Sequence, residues 1–115
     1  MSEPVHVSNK KLVGGDSGVV GNMSSSITSL PYNIDEVVSY SIQAVYTGSP
    51  VGNIEIQGSN DGITYTLINT SAAVINGAGS YLINVEFPAY SWVQLLYLAG
   101  SGSGTMTATI NTKRR

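Results

Sequence analysis

The sequence feature that most constrains the fold is an alternation of apolar and polar side chains with a period of two residues. Between Val38 and Tyr46 every second residue is apolar, and most of the residues between them are serine or glutamine. Successive side chains of a β-strand point to opposite faces, so this pattern predicts a strand with one face in a core. The alternation returns in residues 54–57, 81–87 and 105–111, and no helical pattern competes with it. We therefore predict an all-β chain.

Turn signals separate these strands. Residues 59–62 read Ser-Asn-Asp-Gly, which predicts a tight hairpin turn because Asn and Asp tolerate unusual dihedrals and Gly supplies a positive φ. Residues 64–69 are predicted to return as the hairpin partner. With a further strand at residues 24–30, the chain has about seven strands, which is typical of an antiparallel β-sandwich of the jelly-roll or immunoglobulin-like kind.

Residues 91–99 predict a strand of another kind, because both of its faces are apolar. One face carries Trp92, Leu96 and Leu98, and the other carries Val93, Leu95 and Tyr97. Such a strand lies either at the centre of a sheet that is covered on both sides or where one face meets a partner.

The N-terminal segment contains four glycines among short apolar pieces. Glycine at this density opposes a helix and a long strand alike, so we predict an extended, Gly-rich arm over residues 1–23. The β-sandwich domain then covers residues 24–112, and residues 113–115 form a basic tail. Val19 and Val20 of the arm need a surface to lie on, either on their own domain or on a neighbour.

The charges are few and unevenly placed. Only 10% of the residues are charged, and between Leu12 and Thr112 there are six acidic residues and no lysine or arginine. Nucleic-acid binding needs a basic face, so we expect none except through the basic tail. No apolar run approaches the roughly 18 residues of a membrane-spanning helix, and residues 1–11 do not resemble a secretory leader.

A sandwich with so few charges has little protection against association at its strand edges. We therefore predict a homo-oligomer or a component of a larger lattice. The residues predicted to lie at its interface are those of the arm and of the two-faced strand, namely Val19, Val20, Trp92, Val93, Leu95 and Tyr97.

The sequence gives enzyme chemistry little support. There is no cysteine and a single histidine, His6. Asp35 and Glu36 are adjacent, so in an extended segment they point to opposite faces and cannot line one cleft, and Asp61 lies in a turn. Asn60 and Asp61 with Asp35 or Glu36 are the best candidates for Ca²⁺ ligands, but their spacing follows no ordered ligand pattern. We predict no catalytic residues, no metal and no cofactor.

Aromatic side chains offer one further kind of site. The chain has seven tyrosines and one tryptophan, and such rings stack on sugars when several are exposed together. A core or interface position is the more usual role for most of them. Tyr65, Tyr90 and Trp92 are the candidate glycan contacts.

Several segments of the chain together form a recognisable order of motifs. This order is a Tyr-containing strand, a Gln-x-Ser-Asn-Asp-Gly hairpin with an aromatic residue after it, and a closing Gly-Ser-Gly-Thr strand. In this chain the scheme occupies residues 40–46, 50–52, 54–62, 65, 88–95 and 102–110. It resembles the small β-sandwich structural proteins of tailed bacteriophage virions, of the capsid decoration, auxiliary or tail type. The likeness covers about residues 37–112. Gly58 departs from it, since a branched apolar residue is more usual there.

This resemblance implies a non-enzymatic virion protein that acts through contacts with its own copies and with a shell. It implies a major capsid or tail protein as partner and the virion as location, and it carries over no catalytic residues. Discoidin and carbohydrate-binding sandwiches share the Ser-Asn-Asp-Gly hairpin. The alternative function is therefore a glycan- or host-surface-binding module of a phage tail or fibre.

Overall fold

Ten antiparallel strands form two sheets that enclose one hydrophobic core in the computed structural model, which describes residues 6–68 and 71–114. In chain order the strands are β1 His6–Val13, β2 Ile27–Thr28, β3 Tyr32–Asn33, β4 Val37–Gly48, β5 Val51–Ser59, β6 Thr66–Leu67, β7 Ala73–Asn76, β8 Gly79–Glu86, β9 Trp92–Ser101 and β10 Gly104–Arg114. A short 3₁₀ turn, Gly15–Ser17, follows β1. The predicted antiparallel β-sandwich is confirmed.

The two sheets differ in how their strands are built. Sheet A has the order β1-β10-β4-β8, and all four of its strands are at least eight residues long. Sheet B has the order β2-β9-β5-β6, with β3 pairing on β9 and β7 pairing on β5. Its two central strands are long, but its edges consist of pieces of two to four residues.

The core is filled by the inward-facing residues of the four central strands. They are Tyr40, Ile42 and Ala44 of β4, Ile54 and Ile56 of β5, Val93, Leu95 and Tyr97 of β9, and Met106, Ala108 and Ile110 of β10, all of them buried. Burial of this apolar surface is the main favourable contribution to folding of a chain without disulfides. The predicted alternation of β4 and β10 is confirmed.

The N-terminal segment belongs to the sandwich. β1 pairs along β10, from His6 opposite Arg114 to Val13 opposite Ala108, and Leu12 and Val13 are fully buried. The prediction that glycine excludes a long strand from this segment is wrong, because the glycines begin only at Gly14, after β1 has ended. The predicted arm is extended in this part, but the surface that it lies on is its own domain.

The C-terminal residues also continue the sheet. Lys113 pairs with Ser39 of β4, and Arg114 pairs with Val37 after a shift in register. The Arg114 guanidinium donates a hydrogen bond to the carbonyl oxygen of Asp35 (3.2 Å). Both residues are therefore part of β10, and the prediction that residues 113–115 form a tail outside the sandwich domain is wrong for Lys113 and Arg114.

Two serines bridge the interruptions in the edges of sheet B. Between β2 and β3, the Ser29 hydroxyl accepts a hydrogen bond from the backbone N–H of Leu95 (2.8 Å). On the opposite edge, before β7, the Ser71 hydroxyl accepts one from the N–H of Ile56 (3.1 Å). Both serines are buried, so they satisfy strand donors where no neighbouring strand does so.

The predicted hairpin is confirmed, with a longer loop than expected. β5 is followed by residues 60–65, and β6 pairs with β5 through Thr66 opposite Gly58 and Leu67 opposite Gln57. Asn69, the last residue of the predicted return strand, lies outside the described residues. No helix in the described ranges is long and apolar enough to span a membrane.

Candidate interaction surfaces

The outer face of sheet B carries several exposed apolar side chains. In the register of the sheet, Leu98 of β9 and Val74 of β7 flank Asn53 of β5 on the same face. Leu98 is 45% exposed and Val74 is 77% exposed. Leu67 extends this surface towards the hairpin, and Leu96 is half-buried within it. We call this set of residues (Leu67, Val74, Leu96 and Leu98) the apolar face.

Polar side chains between these residues are bonded to one another. Glu55 is the acidic residue of this face, and it lies opposite Leu96. Its carboxylate accepts a hydrogen bond from the Gln57 amide (2.9 Å), and the Gln57 oxygen accepts one from the Gln94 amide (2.8 Å). Because these polar groups bond to one another, the apolar side chains on either side of the row are the groups that remain for contact with a partner.

The structure separates the predicted interface residues of β9 into two sets. Val93, Leu95 and Tyr97 are fully buried in the chain's own core, so their prediction as interface residues is wrong. Trp92 lies on the other parity, with Leu96 and Leu98, and is half-buried. The strand is thus central to sheet B, with one face in the core and the other on the surface.

The two valines of the predicted arm also differ. Val19 is half-buried against the core, whereas Val20 is 78% exposed. The backbone beside them is held by Gly21, whose carbonyl oxygen accepts a hydrogen bond from the N–H of Met106 (2.8 Å). A side chain at Gly21 would meet the Met106 carbonyl oxygen at 2.0 Å. The segment therefore lies directly on β10, and Val20 is its outward group.

The outer face of sheet A is polar. Asn9, Asn111, Ser41 and Asn84 form one row across all four strands, and the amides of Asn9 and Asn111 are hydrogen-bonded. The next rows carry threonines of β10, with Leu82 and Val45 as exposed apolar residues. Val7 of β1 is a third exposed apolar residue here, and the polar side chains among these three can hydrogen-bond to water.

At one end of the sandwich, the loop after β5 is held by its own acidic residue. One carboxylate oxygen of Asp61 accepts hydrogen bonds from the backbone N–H groups of Ile63 and Thr64, each 2.9 Å, and from the Ser59 hydroxyl. These donors lower the pKa of the Asp61 carboxyl. Asp61 therefore serves the turn, as predicted from its position.

The three candidate glycan contacts lie at this same end, and two of them, Tyr90 and Trp92, pack against glycines of the hairpin. The Tyr90 ring packs on Gly58, where an added Cβ would be 2.9 Å from the ring, and its hydroxyl shares a 2.5 Å hydrogen bond with that of Tyr40. The Trp92 indole lies beneath Gly62. All three rings are half-buried.

Burial also affects the ionisation of these tyrosines. It raises the pKa of Tyr90, an effect that the hydrogen bond from Tyr40 partly offsets. Burial and the bond to Tyr90 together place the pKa of Tyr40 far above its ordinary value of 10.0. For Tyr65, burial raises the pKa first, and the charge of Asp61 adds to this effect.

A shallow depression of about 440 Å³ lies beside these rings. It is lined by side chains of the hairpin loop, of β6 and of the segment before β9, among them Asn60, Asp61, Thr64, Thr66 and Tyr90. The Tyr90 hydroxyl is directed to Tyr40, so the groups available to a ligand here are mainly those of Asn60 and the two threonines.

The carboxylates considered for catalysis or for Ca²⁺ do not form a site among the described residues. Asp35 and Glu36 lie in the turn before β4, where the Asn33 side chain accepts a hydrogen bond from the N–H of Asp35 (3.1 Å). Glu36 has a left-handed φ of 65°. Within residues 6–68 and 71–114, no three acidic or histidine side chains are grouped so that they could hold a metal ion.

Solved structures with a similar fold include prophage-derived and viral proteins. No protein-family model and no curated protein sequence matches the chain. The SPBc2 prophage-derived protein YomS superposes with a TM-score of 0.65 at 9% identity, over 98% of this chain and 97% of that protein. The exported protein XepA of PBSX gives a TM-score of 0.57 at 10% identity, over 95% of this chain and 36% of that protein.

A viral shell protein gives a comparable value. VP2 of infectious bursal disease virus, in its subviral particle, has a TM-score of 0.55 at 17% identity, over 99% of this chain and 33% of that one. At such identities the likeness establishes the fold, a β-sandwich that extends over nearly the whole of this chain. It fits the fold that the resemblance to phage virion proteins implies.

Only part of the apolar face could be predicted from the sequence. The two-faced apolar pattern of residues 91–99 indicated one contributing strand, including Leu96 and Leu98. Val74 and Leu67 could not be assigned to the same surface, because their membership depends on the register of β6 and β7 against β5. Such pairings join residues that are remote in sequence, and no local pattern specifies them.

Proposed function

We propose that this chain is a non-enzymatic structural protein of a virus particle, associated with the capsid as a decoration, stabilising or auxiliary protein. Its partners would be further copies of itself and a major capsid or tail protein, and its location would be the virion. In this role the sandwich supplies surfaces for contact and no chemistry.

The observation that carries this proposal is the apolar face of sheet B. Leu98, Val74 and Leu67 are exposed on one side of the sandwich, and exposed apolar surface of this kind marks sites of protein association. The opposite side of the sandwich has more polar side chains, in its asparagine row and its threonines, and it also exposes Val7, Val45 and Leu82. The low charge of the chain and its fold support the same role.

The size of the chain is consistent with such a contact. A standard interface buries about 800 Å² on each partner. That is about an eighth of the 6358 Å² accessible surface of this chain.

The test is the composition and binding of particles. Particles purified from the virus or prophage that encodes this chain should contain it in a fixed ratio to the major shell protein, measured by quantitative mass spectrometry. Purified chain should co-sediment with particles that lack it, and Leu98→Lys should weaken this binding at least tenfold. Thr109→Lys, which places the same charge on the outer face of sheet A, is the matched control and should bind normally. A chain absent from purified particles and without affinity for them contradicts the proposal.

A second candidate function is favoured by one observation, the position of Tyr65, Tyr90 and Trp92 at a single end, none of them fully buried. Together with the depression beside Tyr90, they fit a glycan- or host-surface-binding module of a tail or fibre. A glycan array tests this function. Binding that is lost in Asn60→Ala and retained in Asn84→Ala, on the outer face of sheet A, would establish it. An array without hits would exclude it.

A further inference from the structure

The sandwich has four lateral edges, and three of them are protected against pairing with another chain. β2 and β3 form one edge with two residues each, interrupted at Ser29, and β6 and β7 form another that is interrupted near Ser71. Short, interrupted strands present few unpaired backbone N–H and C=O groups along one line. A strand of another chain therefore cannot pair along them.

The third edge, β1, is protected in a different way. It carries Lys10 and Lys11, and its register along β10 shifts between Lys11 and Val13. Lysine side chains and irregular backbone are the usual features by which native proteins prevent association at an edge strand.

β8 has none of these protections. It is eight residues long, pairs with β4 from Gly79 to Glu86 without a shift in register, and contains no proline. Its first seven residues are uncharged, and Leu82 at its centre is 65% exposed. A long, regular and neutral edge of this kind is a template for a further strand.

The hydrogen bonding of β8 defines which of its backbone groups are free. The N–H of Phe87, just after the strand, donates to the carbonyl oxygen of Val38 in β4 (2.7 Å). In an antiparallel ladder the groups of alternate residues face the same side. Tyr81, Ile83 and Val85 therefore bond to β4, and the N–H and C=O groups of the even-numbered residues, Ser80, Leu82, Asn84 and Glu86, face away from it. Of these outward groups, the Ser80 carbonyl oxygen accepts a long hydrogen bond from the Tyr46 hydroxyl (3.4 Å), which leaves its second lone pair for a strand partner.

We propose that β8 pairs antiparallel with β8 of a second copy of this chain, with Ile83 on the two-fold axis. Ser80 then lies opposite the second copy's Glu86, and Leu82 lies opposite its Asn84. All four outward-facing residues of each strand are paired, and the two sheets A become one continuous sheet. The contact deepens the proposed structural role and rests on it for the expectation of self-assembly.

Neighbouring registers pair fewer groups. A register centred on Leu82 places Glu86 opposite Ala78, which lies outside the strand. A register centred on Asn84 places Ser80 opposite Pro88, which has no N–H to donate. The register centred on Ile83 also keeps the two Glu86 carboxylates apart at opposite ends, so no like charges face each other.

The side chains of β8 fit this register on both faces. On the inner face, the half-buried Ile83 residues of the two copies meet, and Tyr81 lies beside the second copy's Val85, so apolar surface at the edge of each core is covered. On the outer face, the exposed Leu82 gains a neighbour. These complementary positions arise from the two-fold symmetry, which is why a second copy is the occupant that fits.

The first test is sedimentation velocity of the full chain from about 10 μM to about 1 mM, a range that includes weak association. The wild-type chain should be in a monomer–dimer equilibrium. Leu82→Lys should raise the dissociation constant at least tenfold, and Leu98→Lys, on the apolar face, should leave it unchanged within twofold. A wild-type chain that is monomeric throughout, or an equal effect of the two variants, overturns the proposal.

The second test determines the register with single cysteines, since the chain has none of its own. Residues opposite each other in a non-hydrogen-bonded antiparallel pair have Cα atoms about 4.5 Å apart, within the range that a disulfide bridges. Ile83→Cys should form a disulfide-linked dimer with an added oxidant, and Leu82→Cys should form far less. Preferential cross-linking of Leu82→Cys overturns the register.

These outcomes are independent of the proposed function. If the chain is present in purified particles but Leu82→Lys has no effect on self-association, the edge contact is wrong and the virion role stands. If the wild-type chain forms the Ile83-centred dimer but is absent from particles, the edge contact stands and the virion role is wrong.

Discussion

The outer faces of the two sheets follow the same alternation but present different surfaces. Sheet A places asparagine, serine and threonine in rows across its four strands, whereas sheet B places Leu67, Val74, Leu96 and Leu98 around a row of bonded polar groups. The two inner faces contribute to one core. Under the proposed function, association with a partner is the role of the apolar residues on the outer face of sheet B.

The difference extends to the edges. Sheet A is made of long strands, and its β8 edge is open, whereas sheet B closes both of its edges with short strands and a buried serine. Sheet A is thus suited to contacts at its edge and sheet B to contacts through its face. The two proposals together give one small chain two separate surfaces for assembly.

The largest expected effect separates the two faces of β9. Leu95→Ala should lower the free energy of unfolding by about 3 kcal/mol, because removal of a fully buried leucine side chain leaves a cavity. Leu96→Ala, its immediate neighbour on the apolar face, should cost less than about 1 kcal/mol. Urea unfolding followed by tryptophan fluorescence measures both. Equal losses would mean that the outer face of sheet B is as well packed as the core, and would contradict the difference between the two faces of β9.

A second prediction concerns the end of the sandwich where the sheets are joined by Tyr40 and Tyr90. Gly58→Val should cost about 2–3 kcal/mol, because its side chain would occupy the space of the Tyr90 ring, which the bond to Tyr40 holds in place. Thermal and urea unfolding measure the loss. The double variant with Tyr90→Ala should recover part of it, and a Gly58→Val chain of wild-type stability would show that the ring is free to move.

A third prediction tests the closed edge of sheet B. Ser71→Ala should lower the free energy of unfolding by about 1–2 kcal/mol, because the buried N–H of Ile56 loses its acceptor. Ser41→Ala, on the polar outer face of sheet A, should change it by less than about 0.5 kcal/mol. Amide hydrogen exchange at Ile56 should accelerate in the first variant alone. Unchanged protection there would show that another group accepts this bond.

The smallest effect is expected at the hairpin loop and depends on pH. The backbone donors of Ile63 and Thr64 and the Ser59 hydroxyl favour the ionised Asp61, so its pKa is lower in the folded chain than the ordinary 3.8. The resulting stabilisation is fully present above pH 3.8 and is lost as the pH falls through the lowered pKa. Asp61→Asn should therefore reduce the acid dependence of the melting temperature between pH 5 and 2. Identical profiles for the two chains would contradict this role.

Much of this fold could be predicted from the sequence because the outer face of sheet A is polar. In β4 and β10 the contrast between Ile42 and Gln43, or between Ala108 and Thr109, identifies the inner face directly. The same contrast is weak in β9, where Leu95 and Leu96 are alike in sequence and differ only in position. For β9 the sequence left two alternatives open, a strand covered on both sides or a strand with one face towards a partner. In the structure β9 is central in sheet B, with one face in the core and the other on the surface.

The misassigned segment has a different cause. The alternation of β1 is interrupted where its register shifts, so Leu12 and Val13 are both buried and the period-two pattern is lost. The glycines that follow belong to the loop after the strand. Similarly, β2 and β7 are too short for a periodic signal, and their places depend on long-range pairing with β9 and β5.

The most direct test of the account is electron microscopy, at side-chain resolution, of the particle that contains this chain. The account predicts that Leu98, Val74 and Leu96 contact a neighbouring subunit, while the asparagine row of sheet A faces solvent. Leu98 and Val74 in solvent, with the chain held to the particle only by its loops or termini, would contradict the claim that the outer face of sheet B is an assembly surface.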